Sequence, residues 1–195
     1  MFGLTRVVGV AALLAGLTGC VLSPQVIELN EQADVGTGQL SSERNALVRV
    51  LDDRGVDDDL IGYRGGRLPE NSPLVAEVPL YTTLTKRLKN TLAELGFGGN
   101  STVEPLKLQL DINTFEYSCN EGVVVSKCAF ELKLTVSVLD GPSHFSKPYQ
   151  LSESRSVVAS PVASYNEEWV NEALDKIWAH IFSDQELLAA LGVTR

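Results

Sequence analysis

Apolar and polar positions along this chain repeat with two different periods. Between Pro79 and Gly96, leucines recur at Leu80, Leu84, Leu88, Leu92 and Leu95, with Lys86, Arg87, Lys89 and Glu94 on the polar side. That spacing predicts a helix with one apolar stripe. Pro79 suits the first helical position, where its missing N–H costs nothing, and Gly96 suits a left-handed stop. A second stripe runs through Trp169, Val170, Ala173, Leu174, Ile177, Trp178 and Ile181, with Glu168, Glu172, Asp175 and Lys176 outside. Ser164 and Glu167 have the spacing of a capping box at its start. Ser183 and Glu186 repeat that spacing before a final turn or two through Leu187, Leu188 and Leu191. Both tryptophans read as helix-to-sheet packing rather than binding platforms.

Elsewhere the period is two. Phe130, Leu132, Leu134, Val136 and Val138 alternate with Glu131, Lys133, Thr135 and Ser137, which is the pattern of a strand with one buried and one wet face. The strand before it is apolar at Leu106, Leu108, Leu110 and Ile112, then switches parity to Phe115 and Tyr117. Further strands are expected at Gln25–Asn30, 45–52, 74–78 and Tyr149–Ala159. The last is polar enough for a sheet edge and follows a Gly141-Pro142 turn. Residues 31–44 and 98–104 read as loops. The chain is therefore expected to be α+β: a mixed, mainly antiparallel sheet in the order ββαβββα, with two helices packed on one face.

The stretch 52–67 carries Asp52, Asp53, Asp57, Asp58 and Asp59 among glycines. Tested as a calcium loop from Asp57, it puts Ile61 at the fifth position and Leu68 at the twelfth, where oxygen ligands belong. The match fails, and the stretch reads as a solvated, mobile acidic loop.

The N-terminus changes the picture most. Met1 to Arg6 is a short basic start, and Val7 to Leu17 is an apolar run too short to span a bilayer as a permanent helix. It leads into Leu17-Thr18-Gly19-Cys20, which has the form of a bacterial lipobox, with Cys20 as the acylated residue. This divides the chain into a signal peptide (1–19), a lipidated tether (20–25) and one periplasm-side domain (26–195). Val21, rather than an aspartate, favours the outer membrane. The whole chain carries a net charge of -9. Loss of Arg6 with the signal makes the mature part still more acidic, which disfavours nucleic acid and anionic headgroups as partners. Membrane attachment must then come from acyl chains on Cys20.

With Cys20 assigned to lipid, Cys119 and Cys128 remain in an oxidising compartment, where nearby cysteines usually pair. A zinc site would want more ligands than His144 and His180 supply at these spacings. The spacing also lacks the Cys-x-x-Cys form of a redox catalyst. If Cys119 faces Cys128, Tyr117 meets Phe130 and Phe115 meets Leu132. Keeping that register would put Leu110 on the wrong face, so a β-bulge near Asn113 and Thr114 is expected.

These features resemble the YajG family of bacterial lipoproteins: the lipobox, the strand Val48-Arg-Val-Leu-Asp-Asp53 running into an acidic stretch, the leucine-striped helix ending at Gly96, and Val170-Asn-Glu-Ala-Leu174 in the closing helix. The layout is also similar to auxiliary lipoproteins of transport systems and of lipopolysaccharide assembly, whose common plan is two helices on one face of a mixed sheet. The resemblance implies no activity, cofactor or metal.

On the residues themselves, no Gly-x-Ser-x-Gly or His-Glu-x-x-His is present, and neither histidine has a convincing partner. A non-catalytic envelope lipoprotein that binds another envelope protein is the leading expectation. Candidate contacts are Val123, Val124 and Val125 in the stapled hairpin tip, together with the 52–67 loop. The same valines would also suit a hairpin end tucked against a neighbouring strand. The alternative function is a carrier for a lipid or other hydrophobic ligand, in a groove lined by Leu84, Leu88, Leu134, Val136, Trp169 and Trp178.

Overall fold

A computed structural model describes residues 23–36, 39–40, 43–66, 68–99, 102–120, 125–158 and 160–194. Its backbone follows the two periods. The leucine stripe forms α1 (Leu80–Glu94), and the tryptophan stripe forms α2 (Ala163–Phe182), continued by the short α3 (Gln185–Leu191). The alternating stretches form β1 (Gln25–Ile27), β3 (Ala46–Asp52), β5 (Pro73–Ala76), β6 (Leu106–Asn120), β7 (Val125–Asp140) and β8 (Ser143–Val158). Three short strands were not legible: β2 (Gln39–Leu40), β4 (Leu60–Tyr63) and β9 (Val193–Thr194). Strands β2 and β9 pair antiparallel as a small second sheet, so the 31–44 segment is not wholly loop.

The main sheet has seven strands in the order β1-β5-β4-β6-β7-β8, with β3 also on β6, and is α+β and mostly antiparallel as expected. One edge of β6 serves two neighbours in turn. Its first half, Leu106–Ile112, takes β3 in parallel, and farther along Tyr117 and Ser118 take Gly62 and Tyr63 of β4. At the handover the β6–β7 register slips between Ile112 and Thr114, which is the expected bulge. The displaced Asn113 accepts a hydrogen bond from Thr135 Oγ1 at 2.7 Å. Beyond the slip, Phe115 faces Leu132, Tyr117 faces Phe130 and Cys119 faces Cys128.

The helices pack on one face of this sheet. Leu106, Leu108, Leu110, Ile112, Phe115 and Tyr117 of β6 are all at most 1% exposed, and Trp169 and Trp178 are as deeply buried against them. Trp169 meets the Tyr117 ring edge-on at 5.6 Å and donates from Nε1 to Glu153 at 2.9 Å; Trp178 donates to Thr91 Oγ1 at 2.9 Å. The indole N–H groups are thus satisfied inside the core, as buried tryptophans require.

Several local readings need correction. Arg87, placed on the polar side of α1, is fully buried: Nη1 donates to the Asn30 carbonyl at 2.9 Å, Nη2 to Asp175 at 2.5 Å, and the guanidinium lies over the Trp178 ring at 5.1 Å. Burial lowers its pKa, and the Asp175 hydrogen bond works against that shift. The Ser164 capping box does not form, because α2 starts after an extended Val162 with no side-chain cap. Asn166 turns into the core and Glu167 accepts from the Glu28 amide. Pro79 is the N-cap of α1 rather than its first helical residue. His144 belongs to the start of β8.

The cap of α3 is Asp184, one residue past the serine expected there. One oxygen accepts from the Glu186 amide at 2.9 Å; the other accepts from Tyr149 Oη at 2.8 Å and lies 2.7 Å from Lys147 Nζ. Burial alone would raise this carboxyl, but hydrogen bonds from Lys147, Tyr149 and the Glu186 amide outweigh it and bring the pKa down to about 2. A carboxylate depressed in the folded state stabilises above its unfolded pKa, and that contribution disappears as pH falls from about 4 towards 2. The stability difference between wild type and Asp184→Asn should therefore be largest above pH 5 and shrink across that window, as read by urea unfolding at stepped pH.

Candidate functional site

Cys20 lies outside the described residues, but the place where the fold takes hold of the chain next to it is well defined. Arg64 follows β4 and is 5% exposed. Its Nη1 donates to the Ser23 carbonyl at 2.7 Å, and its Nη2 donates to the Pro161 carbonyl at 3.0 Å and to Ser160 Oγ at 3.4 Å. Gln25 Nε2 donates to the same Pro161 carbonyl at 3.1 Å, while its Oε1 accepts from Asn166 Nδ2 at 2.7 Å. Asn166 in turn accepts from Tyr117 Oη at 2.9 Å, and that hydroxyl lies 2.9 Å from Cys119 Sγ. Residues 23–25, read from the sequence as the end of a tether, are thus bound through a polar chain that reaches the disulfide. Burial pushes the Tyr117 phenol well above its ordinary pKa, so it stays protonated as the donor in this chain.

Cys119 and Cys128 form the expected disulfide across directly opposed positions of β6 and β7. It closes a loop of about ten residues, worth roughly 2–3 kcal/mol in the chain-entropy model. Cys119→Ser with Cys128→Ser should lower stability by that amount in denaturant melts. Faster amide exchange should appear at the 117–130 end of the hairpin and not at its 107–112 and 134–139 end. Of the three candidate contact valines, Val123 and Val124 lie outside the described residues. Val125 is 42% exposed, and its partner across the pair, Val158, is 81% exposed. The backbone of Val125 is tucked into the sheet while its side chain faces solvent.

The described part of the acidic stretch, 52–66, is ordered. The backbone carbonyls of Asp57, Asp58 and Asp59 accept from the amides of Leu60, Leu80 and Ala76. The organiser is Arg54, whose guanidinium is bidentate to Asp52 at 2.8 and 2.7 Å and also donates to the carbonyls of Leu60, Phe115, Asp57 and Asp58. It fills the gap where β3 leaves β6 and β4 joins it. An open cleft of about 210 Å³ beside it is lined by Val56, Tyr63, Thr114 and Glu116 among others. Its one guanidinium is committed to structure. Among the described residues, no group of three or more His, Cys, Asp or Glu side chains is placed to hold a metal. His180 meets the Tyr149 ring edge-on at 5.6 Å, and His144 is exposed.

The sheet face away from the helices is open. Across β3, β6, β7 and β8 it presents rows such as Arg49, Gln109, Ser137 and Ser146, and then Glu116, Glu131 and Ser152, all exposed or half-buried. At the far end of the strands, Leu47 and Leu139 are exposed beside Lys107 and His144 and line an open groove of about 450 Å³. The sequence already marked this second face of the sheet as polar and available. Its signal was the polar half of each alternating strand, interrupted by leucines at 47 and 139. The groove expected for a hydrophobic ligand is occupied by the protein itself: Leu84, Leu88, Leu134, Val136, Trp169 and Trp178 are each at most 3% exposed and belong to one core. No described helix is long and apolar enough to cross a membrane.

Among solved structures, the chain is similar to a Xanthomonas campestris protein of family model DUF330. The identity is 11%, covering 87% of this chain and 96% of that one, with a TM-score of 0.50. It is also similar, at 12% identity and a TM-score of 0.35, to a Helicobacter pylori protein described as a putative neuraminyllactose-binding hemagglutinin homolog; 79% of this chain and 92% of that one are covered. The first likeness concerns the fold alone. No curated protein matches the sequence. The family model Lipoprotein_16, described as an uncharacterized lipoprotein, matches residues 32–192. That span runs from just after β1 to the end of α3 and includes the Arg54 corner, the bulged hairpin and the disulfide, and the chain belongs to this family of lipoproteins, the YajG family.

Proposed function

We propose that the protein is a non-catalytic lipoprotein of the outer membrane, held by acyl chains on Cys20 with its domain facing the periplasm, and that it binds another envelope protein through the open face of its sheet. One observation carries the binding part: the three described helices lie on one side of the sheet, while the other side presents a broad polar surface across β3, β6, β7 and β8. An uncovered face built on rigid strands can present side chains in a fixed array without any change of fold. Val125 and the 57–59 corner adjoin that array. The filled core supports the binding reading over the carrier reading.

The test is photocrosslinking in living cells from Thr135 and Glu116 on the open face, from Val125 and from Asp58, with Glu172 on the outer side of α2 as control. The reading expects one recurring protein adduct from the sheet face and none from Glu172. Adducts with lipid alone, or the same background from all five positions, contradict it.

A further inference from the structure

We infer that one end of the domain is a lipid-contacting surface, formed by Tyr63, Leu68, Val125, Val158 and Val162, and that its partner is the phospholipid surface to which the chain is anchored. The inference rests on the proposed acylation of Cys20. The strand directions gather these residues. Strands β4, β6 and β8 end, and β1, β5 and β7 begin, at the same end of the sheet. The loop bearing Leu68 joins β4 to β5 there, and Val162 is the N-cap of α2 at the same end. Exposures run from 40% for Tyr63 to 81% for Val158, and five of the twelve large apolar side chains exposed among the described residues sit here.

The Arg64 clamp supplies the geometry. Ser23 is fixed to this same end through its carbonyl, and Gln25 begins β1 beside it. Ser23 is three residue steps from Cys20. A fully extended chain advances about 3.3–3.6 Å per residue, so the span is about 10–11 Å. The bilayer's interfacial layer is about 5–8 Å deep on each side. A lipidated Cys20 at the acyl boundary therefore leaves Ser23 at most about 2–6 Å beyond the headgroups, which holds the end carrying the five side chains against them. Tyrosine and branched aliphatic groups suit that depth. Lys127, two residues up β7 from Val125, can extend its ammonium to the phosphates, and Glu70 beside Leu68 limits immersion to the headgroup level. The sheet then stands upright on the membrane, with its open face turned sideways into the periplasm.

The experiment uses the full acylated protein in vesicles of phosphatidylethanolamine and phosphatidylglycerol, carrying an environment-sensitive fluorophore at Val158→Cys, Val162→Cys or Leu68→Cys. Leu139→Cys, at the opposite end, is the control. Flotation with the vesicles is scored first. Nitroxide-labelled lipid should quench the first three labels several-fold more than the control, with blue-shifted emission. Protein that fails to float removes the Cys20 attachment and this inference together. Protein that floats with equal quenching at both ends overturns this inference alone. A blue-shifted label at 158 that lipid nitroxides do not quench means another protein covers the surface, and this also overturns it.

Discussion

Gly62→Ala should lower stability by about 3–5 kcal/mol and the thermal midpoint by about 6–20 °C, at the upper end of single-residue effects. Gly62 sits in β4 where that strand joins β6, with φ at 155°, a backbone region that side chains rarely adopt. A Cβ built there would lie 1.9 Å from the Tyr117 carbonyl oxygen and 2.7 Å from its carbon. Nothing flexible is available to move, because the obstruction is the backbone of the central strand. Relief requires β4 to separate from β6, and β4 carries β5 and β1 with it. Scanning calorimetry gives the midpoint. Amide exchange should speed up across Leu60–Tyr63 and Pro73–Ala76 while β7 and β8 stay protected. An unchanged midpoint would mean that the β4–β6 approach is looser than described.

Arg54→Ala should cost about 3–5 kcal/mol by a different route, the stranding of a buried charge. The side chains of Asp52 and Arg54 are 5% and 6% exposed. Removing the guanidinium leaves the Asp52 carboxylate with its counter-ion gone, and the carbonyls of Leu60 and Phe115 without their donor. The pair itself need not be strongly stabilising, since the cost of dehydrating both ions offsets most of their attraction. Arg54→Met alone should therefore be worse than Arg54→Met combined with Asp52→Asn, in which the orphaned charge is also removed. Denaturant unfolding of the four proteins in a double-mutant cycle reads this directly, and equal losses in the single and double variants would contradict it.

Much of this architecture was legible in the chain because two regular patterns dominate it. The leucine and tryptophan stripes placed α1 and α2 and marked both tryptophans as core. The parity switch between Ile112 and Phe115, combined with one assumed disulfide, located the bulge near Asn113 and Thr114. What escaped was set by tertiary context. Strand β4 is four residues with a glycine inside, preceded by aspartates, and it exists because Arg54 closes the corner and β6 offers a free edge. Arg87 sits among Lys86 and Lys89 and so reads as solvent-facing. Yet Thr83, Arg87 and Thr91 form an i, i+4 row beside the leucines, and all three are buried. That row, more than the charge, was the available signal for a polar seam against α2. The Ser164 capping box misled for a similar reason: Asn166, inside that tetrad, turns its side chain inward to complete a chain of hydrogen bonds from Gln25 to Tyr117 that sequence spacing cannot reveal.

The proposed attachment site stands out in the sequence as Leu17-Thr18-Gly19-Cys20. The structure adds that Arg64 fixes the chain three residues beyond it. The mature protein is proposed to begin at Cys20 and to carry its lipid there. The direct measurement is the mass of the N-terminal peptide of protein purified from outer membranes. A peptide starting at Cys20, with a diacylglyceryl group on sulfur and a further acyl chain on the amine, is the expected result. A peptide with an unmodified Cys20, or one starting at any other residue, would contradict it.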